Sequence, residues 1–265
     1  MTNQFQIILE DGQTFTIPNR VIAPIGEPAV NIPGDDTQLR VTRTGVVLAN
    51  DDGNTAVQVT GNNATISNSG RISGDFNGIS SSGNGLNVTN RGTILSDSRV
   101  VDLSNGDGLI INNFGNIRGT GDQRNGTFYV NGVVDDATIT NRSRGRIDAG
   151  RGNNGDGLSI QVGDAGEDAI NENIDITNRG VIFGRGQADF DGGRLTANGS
   201  SGLRFFNGSG ETEAIVTGSI RNSGLISAEA NQGFLGGLVV EDGVSYQGTI
   251  TNERGGRITG PRNGL

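Results

Sequence analysis

The stretch that decides the fold is Ile66-Ser67-Asn68-Ser69-Gly70-Arg71-Ile72, answered 22 residues later by Val88-Thr89-Asn90-Arg91-Gly92-Thr93-Ile94. The phrase returns around Asn113 (Ile111 to Ile117), Asn178 (Ile176 to Ile182) and Asn222 (Ile220 to Ile226). Copies around Asn141 (Ile139 to Ile147) and Asn252 (Ile250 to Ile258) carry two extra residues. Val41 to Val47 reads as a degenerate early copy with Arg43 in place of the Asn. The anchor Asn residues lie 22, 23, 28, 37, 44 and 30 positions apart, a fixed minimum with growing insertions, which is the signature of a solenoid.

A second phrase falls between the copies. It runs as Ala29-Val30-Asn31-Ile32, Ala56-Val57-Gln58-Val59, Gly78-Ile79-Ser80-Ser81, Val100-Val101-Asp102-Leu103, Gly157-Leu158-Ser159-Ile160, Gly202-Leu203-Arg204-Phe205 and Gly237-Leu238-Val239-Val240, with Tyr129-Val130-Asn131-Gly132 as a weak member. Each unit therefore reads as three short strands whose alternate residues are apolar. Such strands gain stability by pairing with their equivalents one repeat away. The fold class is accordingly all-β, a right-handed parallel β-helix of about eight coils, each with three short strands, forming a rod roughly 40 Å long.

Stacking assigns roles to the repeated types. The Ile and Val residues that open and close the phrase form two aliphatic columns along the axis. Asn68, Asn90, Asn113, Asn141, Asn178, Asn222 and Asn252 form a structural ladder in which each amide donates and accepts. The Asn is expected at a sharp turn for its tolerance of left-handed backbone, with the Gly two positions later as a second permissive bend. Residues 1–20, from Phe5 to Leu9 and Thr14 to Ile17 across Glu10 to Gln13, read as a capping β-hairpin. Residues 21–265 then form the β-helix, which is expected to continue past Leu265 in a longer protein, since Arg262 to Leu265 resembles the opening of another coil.

Composition narrows the chemistry. Cys, His, Trp and Lys are absent, all 20 basic residues are Arg, and the net charge is −9. No imidazole base, thiolate, Schiff-base lysine or common zinc site can be built, so the chain is read as more suited to a non-catalytic role than to an enzyme. The acidic balance argues against nucleic acid as a partner, and no apolar run is long enough for membrane insertion. A blunt final edge also suggests end-to-end self-association.

At the Ile-Thr-Asn-x-Gly-x-Ile phrase the chain resembles the β-helical repeats of bacterial autotransporter-like and filamentous-haemagglutinin-like surface proteins, over residues 29–265. The resemblance implies an extracellular or cell-surface protein, an adhesin-like stalk or display scaffold, with carbohydrate or another surface protein as partner. The right-handed β-helix is shared with pectate-lyase-type enzymes, so polysaccharide binding or cleavage by the later loops is the alternative. Those loops, 119–126, 148–156, 162–172, 184–201 and 207–217, place Asp189, Phe190, Asp191, Arg194, Arg204 and Phe206 in a candidate ligand-binding wall, Phe206 facing outward. Asn105-Gly106-Asp107-Gly108-Leu109 and Asn154-Gly155-Asp156-Gly157-Leu158 mark Asp107 and Asp156 as weak calcium candidates, with tight-turn chemistry as the plainer account.

Overall fold

In a computed structural model the chain winds into a parallel β-helix with no helical segment among the described residues. These are residues 4–50, 53–104, 107–120, 126–131, 135–150, 155–162, 170–186, 189–191, 194–196, 201–207, 214–230 and 236–260, with backbone only at 170–172, 186, 189–191, 194–196 and 230. Three parallel sheets run the length of the body. Sheet A has nine strands, from Ile7–Ile8 through Val57–Val59 and Phe128–Asn131 to Leu238–Val240. Sheet B has ten, from Thr14–Ile17 through Thr65–Asn68 to Val244–Tyr246 and, beside it, Thr249–Asn252. Sheet C has nine, from Arg20–Ile22 through Arg71–Gly74 to Arg257–Thr259. Each turn of the chain contributes one strand to A, one to B and one to C, and connections between parallel neighbours take the right-handed course.

The alternating pattern of the sequence becomes an inside and an outside. In sheet B, Leu39, Ile66, Val88, Ile111, Ile139, Ile176 and Ile220 stack in register at 0–1% exposure. Sheet C supplies Val47, Ile72, Ile94, Ile117, Ile147, Ile182 and Ile226, all at 0%. β-Branched residues fill most of the interior, and each contributes roughly 1.5–3 kcal/mol on burial. Ile250 keeps the column's register with Ile220 but is 45% exposed, because no described coil covers its far side.

Four expectations are corrected. Residues 1–20 do not form a hairpin: Ile7–Ile8 pairs in parallel with Val30–Ile32, Thr14–Ile17 with Gln38–Val41, and Arg20–Ile22 with Val46–Leu48. Gly12, at φ 66°, turns the chain as the equivalent corner does in later coils, so three parallel ladders form and the coils number nine among the described residues. The early copy is also shifted by two residues. Val41 aligns with Asn68 and Leu39 with Ile66, because the turn closed by the Gly45 N–H on the Thr42 carbonyl is as long as those at Arg142–Gly145 and Glu253–Gly256.

The weak member of the second phrase is shifted likewise: Phe128 and Val130, not Val130 and Gly132, align with Val101 and Leu103. Lastly, neither the ladder Asn nor the repeat Gly has a positive φ. Left-handed residues occupy the corner before sheet B, as Gly12, Asp36, Asn63, Gly85, Gly108, Asp136 and Asn173, where Gly, Asn and Asp are the residues that bear that conformation best.

The repeat Gly has a different reason. A Cβ on Gly70, Gly92, Gly115 or Gly180 meets the carbonyl oxygen of the Gly one coil earlier at 2.1 Å. The Asn ladder itself forms as read. Each Nδ2 donates to the Oδ1 one coil on, Asn68 to Asn90 to Asn113 to Asn141 to Asn178 at 2.9 Å per step, then to Asn222 and Asn252 at 2.8 Å. Each donor also reaches a sheet C carbonyl of the next coil, as from Asn141 to Val181 at 3.1 Å. The amides thus satisfy their own buried polar atoms in a dry column.

Candidate functional site

Asp107 and Asp156 sit in the same five-residue phrase but at different corners. Asp107 precedes sheet B, where its Oδ1 accepts the N–H of Asp135 at 3.3 Å. The same device recurs in the first three coils, from Asp35 N–H to Asp11 at 2.8 Å and from Asn62 N–H to Asp35 at 2.6 Å. Asp156 precedes sheet A and is 1% exposed; it accepts from the Ser201 N–H at 2.5 Å, the Ser159 hydroxyl at 2.6 Å and Arg204 at 3.4 Å. The two phrases therefore do not stack into one loop, and among the described residues no three acidic groups converge as a metal cluster.

Burial pushes the Asp156 carboxyl up, against the pull of Arg204 and the Ser159 and Ser201 donors. An acid raised in the fold binds its proton more readily there than when unfolded, so its contribution to stability declines as pH rises through the folded value. Asp156→Asn is accordingly expected to change stability by less than about 1 kcal/mol at neutral pH, because Arg204 keeps Glu241 at 2.7 Å. Asp156→Ala leaves the Ser201 N–H and Ser159 hydroxyl without this acceptor and is expected to cost about 2–4 kcal/mol. Urea titrations at acid and neutral pH check both, and equal losses for the two variants would remove the carboxyl's bridging role.

Beside Asp156 the outer face of sheet A holds the described part of the expected wall. Leu203 and Phe205 are buried at 0%, and Phe206 faces out as expected, with the Arg204 guanidinium 4.4 Å from its ring centre. Tyr129 lies across from it at 6.3 Å between centroids, with Arg99 3.9 Å over its ring and its hydroxyl donating to Gln161. Arg99 is in turn 3.1 Å from Asp102. The backbone of Asp189–Asp191 pairs antiparallel with Arg194–Thr196, so these strands form a small hairpin inside an insertion. The side chains of Asp189, Phe190, Asp191 and Arg194 lie outside the described residues, as do the centres of the expected loops.

Sheet C carries an open groove of about 600 Å³ lined by Thr93, Leu95, Asn116, Arg118, Arg146, Asp148 and Arg185. Asp148 bridges two coils, 2.8 Å from Arg146 and 3.0 Å from Arg185, while Arg185 continues to Glu229 at 2.9 Å. Burial raises the Asp148 carboxyl, and the hydrogen bonds and charges of Arg146 and Arg185 outweigh it, leaving it below the ordinary carboxylate range.

A second groove, of about 320 Å³, was not legible from the sequence. It lies at the turn from sheet B to sheet C and is lined by Arg91, Phe114, Arg142, Ser143, Arg144 and Arg179. Arg91, Phe114, Arg142 and Arg179 each directly follow a ladder Asn, the first, second and fourth of them at the variable position of Asn-x-Gly and Arg142 in the copy with two extra residues. Register therefore stacks them in four consecutive coils. Backbone bonds fix the column, with the Phe114, Arg142 and Arg179 N–H groups donating to Asn90, Asn113 and Asn141 at 2.7–2.8 Å. Phe114 is 37% exposed, with Arg91 and Arg142 5.0 and 5.4 Å from its ring centre. The signal that pointed here was a run of Arg at one variable position, which reads as noise until the coils are stacked.

Comparison of the chain with known protein families, with curated proteins and with solved structures gave no match.

Proposed function

We propose that the chain is a non-catalytic β-helix module of a secreted or cell-surface protein, a stiff stalk that displays loops from one side. The observation that supports this is where the insertions enter. Segments 23–29, 49–56, 120–127, 149–157, 187–202 and 231–237 join sheet C to sheet A and exceed the shortest such links, 75–78 and 97–100; 163–169 and 208–213, each leading into a lengthened strand of sheet B, extend the passage from A to B, whereas every turn from B to C stays short. Inserted sequence therefore borders sheet A on both sides, and the rest of the wall keeps its minimal repeat. Loops carried on a rigid solenoid are the usual means by which such folds present contact residues.

Three carboxylates on or beside the sheets are accounted for by structural contacts. Asp148, Asp156 and Asp102 are each held by Arg side chains. The resemblance of the repeat phrase to surface-protein solenoids supplies the expected location. Antibody labelling of intact cells of the source organism, with a turnover assay of uronate polymers in the presence of calcium, tests the reading. Labelling without turnover is expected; turnover of any such polymer, or protein confined to the cell interior, overturns it.

A further inference from the structure

We infer that the arginine groove around Phe114 is a binding site for an acidic polysaccharide, a chain carrying carboxylate or sulfate groups on successive sugar rings. The inference goes beyond the display scaffold and does not require it; it needs only the register of the coils. The first support is charge. On a chain of net charge −9, Arg91, Arg142, Arg144 and Arg179 gather at one turn, and none of them has a carboxylate within ion-pair distance among the described residues. Elsewhere among the described residues Arg146, Arg185 and Arg204 are ion-paired while Arg20, Arg43 and Arg221 are not; what marks this corner is that four unpaired guanidinium groups line one groove. Like charges packed together without counter-charges repel one another, and a bound anion relieves that repulsion.

The second support is an orphaned donor. Arg142 gives one terminal nitrogen to the Asn112 amide oxygen at 3.2 Å, while its Nε–H is buried with no acceptor in the protein. Buried donors are nearly always satisfied, and this one borders the groove. Phe114 contributes by position: it stands in the coil between Arg91 and Arg142, its ring centre 5.0 and 5.4 Å from their guanidinium carbons, and so helps order both forks for carboxylate or sulfate.

Spacing suits the proposed anion. The arginine-bearing coils follow the axis at multiples of about 4.8 Å, an interval on the scale of one sugar ring in an extended chain, so a polymer with one acidic group per ring can keep step with them.

The test uses the intact chain and fluorescence anisotropy with labelled oligogalacturonate and dextran sulfate, against neutral dextran, single-stranded DNA and polyaspartate. The expected result is saturable binding of at least one acidic polysaccharide. It weakens about tenfold in the double variant Arg142→Gln/Arg179→Gln, and about threefold in Phe114→Ala. Arg40→Gln, in the second coil, leaves it unchanged. Because a variant can disturb the turn itself, the wild-type protein gives an independent readout: affinity falls with salt, with a log–log slope of about two to three released ions. Equal binding of neutral dextran, tighter binding of DNA or polyaspartate, no saturable binding of either acidic polymer, or full affinity in the double variant would each overturn the inference.

Discussion

Gly115→Ala is expected to destabilise the protein by about 3 kcal/mol or more, although it adds one methyl group at a turn. The added Cβ arrives 2.1 Å from the Gly92 carbonyl oxygen. That oxygen cannot simply move aside, because it accepts the Asn116 N–H at 2.9 Å and so holds the first rung of sheet C between these coils. Either the rung breaks or the two coils separate locally, and the aliphatic columns inside lose contact in both cases. Ser69→Ala, at an exposed position of the equivalent turn two coils earlier, is expected to stay within about 0.5 kcal/mol. Chemical denaturation of the two variants compares them directly. A Gly115→Ala protein with unchanged midpoint would mean that the coils do not approach at the B-to-C corner.

The second large effect is at the middle of the amide column. Asn141→Leu is expected to cost about 2–5 kcal/mol, since it deprives the Asn178 Oδ1 and the Val181 carbonyl of their donor in a site at 0% exposure. Asn141→Asp separates hydrogen bonding from shape. A carboxylate there sets oxygen against the Asn178 oxygen, so its pKa is raised in the fold and the damage grows as pH rises through that value. Acidification is therefore expected to rescue Asn141→Asp in part and Asn141→Leu not at all. Asn252→Ala, at an exposed position where water can replace the lost acceptor, should cost less than about 1 kcal/mol. If all three variants melt alike, the ladder contributes no more than surface amides do.

These results bear on how the sequence encodes the rod. The columns through Ile66, Val88 and Ile111 were legible because alternation and a fixed repeat are both visible in one dimension. The ladder Asn and its Gly were also visible; the amide pairing assigned to the Asn is the one the structure shows, whereas the left-handed backbone assigned to the Asn and the Gly is not. The left-handed corner falls at Asp36, Asn63, Gly85 and their equivalents, a column that varies among three residue types and hides in a loop-like composition. The Gly of the phrase is set by contact with the previous coil, information that no single repeat contains.

The first coil was misread for a related reason. Phe5 to Ile22 lacks the Asn-x-Gly phrase, since Ile17 stands in the ladder column with Val41, so the strands looked like a hairpin. Of the site, Phe206 and Arg204 were placed correctly because strand alternation fixes which side they face. Arg204 proved to be engaged by Asp156 and Glu241, residues 48 and 37 positions away in the chain. The arginine groove was missed because its members are 23, 28 and 37 positions apart, and only the coil register brings them together.

The claim beneath all of this is that equivalent residues in successive coils stand one above another at a constant rise. The absence of Cys from the chain permits clean double spin labelling along one outward row of sheet B, at Arg40 paired with Thr140, Thr177 or Arg221. Electron–electron distances are expected to climb as a staircase of about 19, 24 and 29 Å, one step of about 4.8 Å per coil. Distances that fail to rise with coil number, or that jump by much more than one step between Thr177 and Arg221, would contradict the stacked winding.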